Sequence, residues 1–141
     1  MSIKKTRLNV EFNYDFILFG LSSSVKFFKL AWAINRQLHL QLVRQPDHMI
    51  TLKNSSEANF GIYTWQSETG VIELFKNKSL DKEGQYLVPE FNHFDYLIRV
   101  DSALQSFSKE EILKELRDVP WIEYIAALDV KNLKSKDNFL S

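Results

Sequence analysis

Cysteine is missing from the 141 residues, which excludes disulfide staples, thiolate nucleophiles and sulfur-ligated zinc. Glycine is scarce: Gly20, Gly61, Gly70 and Gly84 stand alone, so no glycine-rich phosphate loop and no dinucleotide fingerprint exists, and no cofactor is expected. The three prolines and four glycines form no linker that would divide the chain, and no repeat period is visible, so residues 1–141 read as a single domain. Net charge is also missing, with 18 basic and 18 acidic side chains, which gives no reason to expect a nucleic acid or an anionic membrane as partner. The balance hides a mild asymmetry: residues 1–70 carry eight Lys/Arg and five Asp/Glu, residues 71–141 ten and thirteen. Long apolar runs are absent too. The most apolar window, 16–34, is interrupted by Gly20, by Ser22, Ser23 and Ser24, and by Lys26 and Lys29, so it is no membrane span. The polar, basic start of the chain is no export signal. Together these absences place the expectation in the cytoplasm.

What is abundant is apolar material: 45% hydrophobic residues and eleven phenylalanines, in a chain long enough to bury a core without staples. Leu8, Val10 and Phe12 alternate with Arg7, Asn9 and Glu11, the period of a half-buried strand. The short run 16–21 is compatible with either strand or helix. The serines 22–24 offer N-caps for a helix reaching about Leu38, with Phe27, Leu30, Ala31, Ile34 and Leu38 on its apolar side, widened by Val25, Phe28 and Trp32. Short β-like runs follow at 40–43, 49–52, 60–65 and 71–75, separated by polar turns, and predict an antiparallel meander. Pro89 ends any strand over 86–88, and 94–100 reads as a strand with Phe94, Tyr96, Ile98 and Val100 on one face. A second helix is well punctuated, with Ser108 as cap, Glu111 three residues on, Phe107 able to staple onto Ile112, and Pro120 beyond its end. A last strand over 121–130 has Ile122, Tyr124, Ala126, Leu128 and Val130 on its expected inner face. The sum predicts an α+β domain: a mainly antiparallel sheet of six to eight strands with two helices packed on one face.

Candidate chemistry is sparse. No nucleophile elbow surrounds the serine run, so its expected role is capping. Lys131, Lys134 and Lys136 read as a solvated tail. The three histidines, His39, His48 and His93, form no metal-spacing motif; His93 lies between Glu90 and Asp95 on a turn, where convergence on a metal is not expected. Asn35 falls on the apolar flank of the first helix, where a buried amide must either bond a backbone edge or line a pocket. The run Phe60 to Trp65, which holds Tyr63 and Trp65, is apolar or aromatic on both alternating sets, the pattern of a doubly covered strand or of an edge used as an interface.

One stretch is denser than the rest: Val88-Pro89-Glu90, three residues, then Phe94-Asp95-Tyr96. The physical reading is a corner in which Pro89 bends the chain, Glu90 and Asp95 accept loop N–H groups, Asp95 shares a polar patch with Arg99, and Tyr96 enters the core; the competing reading is a ligand or partner site. This stretch resembles the signature of the bacterial IPExxxVDY family, with Val88 in place of Ile and Phe94 in place of Val, while Pro89, Glu90, Asp95 and Tyr96 match as they stand. The length and the lysine-rich end with Asn138, Phe139 and Leu140 fit as well. The resemblance implies a bacterial, cytoplasmic setting and a theme of lipid or central metabolism, but no reaction. Two functions follow as expectations. The first is a non-enzymatic module that binds a protein partner or forms a homodimer through its aromatics. The alternative is a small-ligand-binding protein or enzyme using Glu90, His93 and Asp95.

Overall fold

The computed structural model describes residues 16–101 and 108–139. The alternating stretch of Leu8, Val10 and Phe12 and the staple residue Phe107 lie outside them. The described chain forms β1 (Phe16–Ser22), α1 (Phe27–Leu38), β2 (Val43–Arg44), β3 (His48–Thr51), β4 (Glu57–Phe60), β5 (Ile62–Gln66), β6 (Val71–Lys76), β7 (Tyr96–Asp101), α2 (Lys109–Arg117) and β8 (Tyr124–Leu128), with short 3-10 turns at Pro89–Phe91, Val130–Asn132 and Lys136–Phe139. Six strands form one antiparallel sheet in the order β2-β5-β6-β7-β1-β8, and β3 and β4 form a small second sheet, so the fold is α+β as expected.

The sheet is covered on both faces, and the period of two sorts its residues between two cores. Phe19, Leu21, Ile72, Leu74, Tyr96, Ile98, Val100 and Ile125 pack with Leu30, Ala31 and Ile34 of α1 and Ile112 and Leu116 of α2, so both helices lie on one face. Phe16, Leu18, Ile62, Phe75 and Leu97 point the other way, onto Phe60, Leu87, Val88, Val130, Leu133 and Phe139. Burial on both sides explains why the run 16–21 shows no amphipathic alternation: β1 is a central strand paired with β7 and β8. Facing the second core, Glu73 and Arg99 form an ion pair at 2.7 Å, so Arg99 pairs across strands with Glu73 and makes no patch with Asp95.

Several boundaries differ from expectation for identifiable reasons. The run 60–65 is two strands in two sheets, broken at Gly61, where an added Cβ would lie 2.6 Å from the Phe27 ring. The stretch 40–43 is mostly irregular, with Leu40 and Leu42 buried and only Val43–Arg44 in the ladder. Around 86–88 a single bridge, Lys78 to Tyr86, replaces a strand. Phe94 precedes β7 and leaves the ladder, but its ring is buried as predicted. Over 121–130 Ile122, Ile125 and Ala127 pack on the helix-side core, Leu128 and Val130 enter the second core as inward residues, and Tyr124, expected inside, is exposed. Ser108 accepts the Glu111 N–H at 3.1 Å, so the expected cap of α2 forms. The serines before α1 do not cap it; the helix starts at Phe27 with Lys26 in the cap position and no side-chain cap.

Candidate functional site

The serines are used elsewhere. The Ser23 N–H donates to Asp95 Oδ2 at 2.9 Å, the Ser23 hydroxyl donates to the Trp121 carbonyl at 2.6 Å, and the Ser24 hydroxyl donates to Glu123 Oε2 at 3.2 Å. The Tyr96 hydroxyl donates to the Val25 carbonyl at 2.7 Å. The pair Asp95-Tyr96 therefore holds the loop between β1 and α1, and through Ser23 that loop holds the strand entry at Trp121. Tyr96 is buried, and burial together with the neighbouring Asp95 carboxylate raises its hydroxyl pKa above the ordinary tyrosine value. Its ring stacks on Phe27 at 5.4 Å, and Tyr63 meets the same Phe27 edge-on at 4.8 Å.

The stretch Val88-Pro89-Glu90 holds a different segment. Pro89 opens the 3-10 turn Pro89–Phe91. Glu90 Oε2 accepts the N–H groups of Lys134 and Ser135 at 2.6 and 3.0 Å, and Oε1 accepts the Ser135 hydroxyl at 2.7 Å. Partial burial pushes the Glu90 carboxyl up, but these bonds, led by that from the Ser135 side chain, outweigh it and leave the pKa below the ordinary glutamate value. The lysine-rich end is thus strapped down, with Leu133 and Phe139 buried and the Asn138 amide donating to the Leu87 carbonyl. Val88 is fully buried, and the buried Phe94 ring sits against Gly20, where a Cβ would come within 2.5 Å of it. Only Gly fits at that point of β1.

Both carboxylates accept backbone N–H groups, as the corner reading requires, and they do so from different segments. His93 between them is exposed, with its ring 4.3 Å from that of Phe94. Among the described residues no group of three His, Asp or Glu is placed to hold a metal ion. The cavity between the helices and the sheet, lined by Ile34, Leu38, Leu74, Ile98, Ile112 and Leu116, is about 10 Å³ and has room for no more than about one water.

The residue that organises the loop over 88–94 is Asn77, which sequence reasoning did not single out. It is fully buried; its amide donates to the Phe91 and Phe94 carbonyls at 3.1 and 2.9 Å, and its carbonyl oxygen accepts the Val88 N–H at 2.9 Å. An isolated Asn after a strand carries no periodic signal; the only clue is an unpaired amide next to an apolar run. Asn35 is spent likewise, exchanging two bonds with the Leu42 backbone and so holding the chain that follows α1.

No family model, curated protein or solved structure matches the chain. Shape and chemistry alone therefore single out a surface. Phe60 is fully buried in the second core, while Tyr63 and Trp65 are half-buried on the helix side, so these three do not form one aromatic face. Among the described residues the exposed aromatics are instead Phe28 (57%), Trp32 (53%), Trp121 (37%) and Tyr124 (59%). Trp32 and Trp121 are 6.2 Å apart, the Arg36 guanidinium lies 5.0 Å above the Trp32 ring, and Phe28 is one helical turn before Trp32.

Proposed function

We propose that the chain is a non-enzymatic module that binds a protein partner or a second copy of itself, through the outer flank of α1 and the adjoining Trp121. One observation carries this: two tryptophans and a phenylalanine gathered on one surface, where scattered exposed apolar residues would need no explanation but a rigid aromatic cluster does. Asp95 and Tyr96, two of the six residues that resemble the IPExxxVDY signature, pin the chain that leads into the cluster's helix. The alternative use of Glu90, His93 and Asp95 as a ligand or catalytic set needs groups that face one volume, and the two carboxylates instead clamp separate segments.

A photo-crosslinking residue at position 32, compared with one at Glu110 on the exposed side of α2, tests the reading in cells. Discrete adducts from position 32 and none from position 110 are expected. Equal, diffuse labelling from both positions contradicts it.

A further inference from the structure

We propose that the outer face of α1 docks an acidic segment of a partner protein that carries an aromatic or large aliphatic anchor residue. This rests on the reading above and names the partner's chemistry. Residues 16–46 contain no Asp or Glu, so the cations of α1 and its approach, Lys26, Lys29 and Arg36, meet no carboxylate of their own stretch. All three are exposed. The ion pairs among the described residues join Arg44 to Asp47 and Arg99 to Glu73, and neither involves Lys26 or Lys29. A basic first turn also opposes the helix dipole, and α1 has no side-chain cap to offset it.

The aromatics supply the other half of the recognition. Phe28 and Trp32 form a ridge along the helix, and Trp121 continues it across to the chain entering β8. Arg36 stacks on the Trp32 ring, Trp32 packs against Trp121, and the Ser23 hydroxyl fixes the Trp121 backbone, so the ridge stands on anchored main chain. An apolar centre with a cationic rim fits a segment whose anchor enters between the rings and whose carboxylates reach Lys26, Lys29 and Arg36. A continuous polyanion fits less well. Three separated cations around an apolar centre offer contacts to single carboxylates and no continuous basic track for a phosphate backbone.

The test is fluorescence anisotropy on the full chain with four probes. These are a labelled peptide of Asp and Glu around one Trp, the same peptide with Lys for every acid, the acidic peptide with Ala for Trp, and duplex DNA; phosphatidylglycerol vesicles are tested by co-sedimentation. Binding of the first peptide alone is expected, weakened about tenfold or more by Trp32→Ala and by Lys26→Glu with Lys29→Glu, and weakened by salt. Equal binding of the acidic and basic peptides overturns the proposal, as does binding only to vesicles or DNA, or to no probe. If position 32 still yields discrete crosslinks while no peptide binds, the partner chemistry fails and the module reading stands; if both are negative, both fail.

Discussion

The two helices lie on the same face of the same sheet and are built on opposite logic. α2 follows local rules: a Ser108 cap, Glu110 and Glu111 in its first turn, Lys114 and Arg117 in its last, and a mixed-charge exterior. α1 follows almost none of them, having no side-chain cap, no acidic residue in its first turn, and Phe28 and Trp32 in solvent. It is held from its inner side, by Phe27 between Tyr63 and Tyr96, by the Tyr96 hydroxyl on Val25, and by Asn35 on Leu42. The difference teaches that a helix secured by tertiary contacts has an outer face free to serve something other than folding.

The largest expected effect that breaks this comparison is at Phe27. Phe27→Ala removes a ring packed on Tyr63, Tyr96 and Gly61 and is expected to cost about 3 kcal/mol in urea unfolding, against about 1 kcal/mol for the α2 cap change Ser108→Ala. If Ser108→Ala costs more, α1 is not the tertiary-held helix.

Next is Tyr96→Phe, which keeps the ring and removes the bond to the Val25 carbonyl, expected at about 1 kcal/mol. The pH dependence has a definite sign. The Tyr96 pKa is raised in the folded chain, so its contribution is complete below the ordinary tyrosine value of about 10 and is lost as pH rises through the folded value. The variant's stability is therefore expected to fall less steeply than wild type in alkali. Glu90→Gln is the control outside both helices. Its folded pKa is lowered, so wild type is expected to lead at neutral pH and to lose that lead as pH falls from about 4 through the lower folded value. Amide exchange should rise in residues 130–139 and not in α1.

A smaller effect sharpens the contrast from the other side. Lys26→Ser gives α1 the cap it lacks and removes a cation from its positive end, for an expected gain of about 0.5 kcal/mol, while weakening the acidic peptide. A variant that is both more stable and a better binder contradicts the assignment of Lys26 to recognition.

The same contrast marks what the sequence allowed to be read. α2 was legible because its cap, stripe and charges are all local, and the α+β class followed from element order. α1's extent was misread at its start because Ser23 and Ser24 have the composition of a cap and are engaged by Asp95, Trp121 and Glu123, all more than seventy residues away. A helical wheel puts Phe28 and Trp32 with the apolar side because an apolar side chain carries no mark of exposure. The corner was legible in part: Pro89 at the bend and Glu90 and Asp95 on loop N–H groups follow from residue type, but their partners at Lys134, Ser135 and Ser23, and Asn77 beneath them, are set by tertiary structure alone. Among the phenylalanines, Phe27 and Phe94 face inward as expected. Phe28 is exposed, Phe60 fully buried and Phe91 half-buried.

The central claim is that α1 is secured from within and that its outer aromatics do not contribute to folding. Urea unfolding of the double variant Phe28→Ala with Trp32→Ala tests it most directly. A free energy within about 0.5 kcal/mol of wild type is predicted. A loss as large as that of Phe27→Ala would show that these rings belong to the core and would contradict the account.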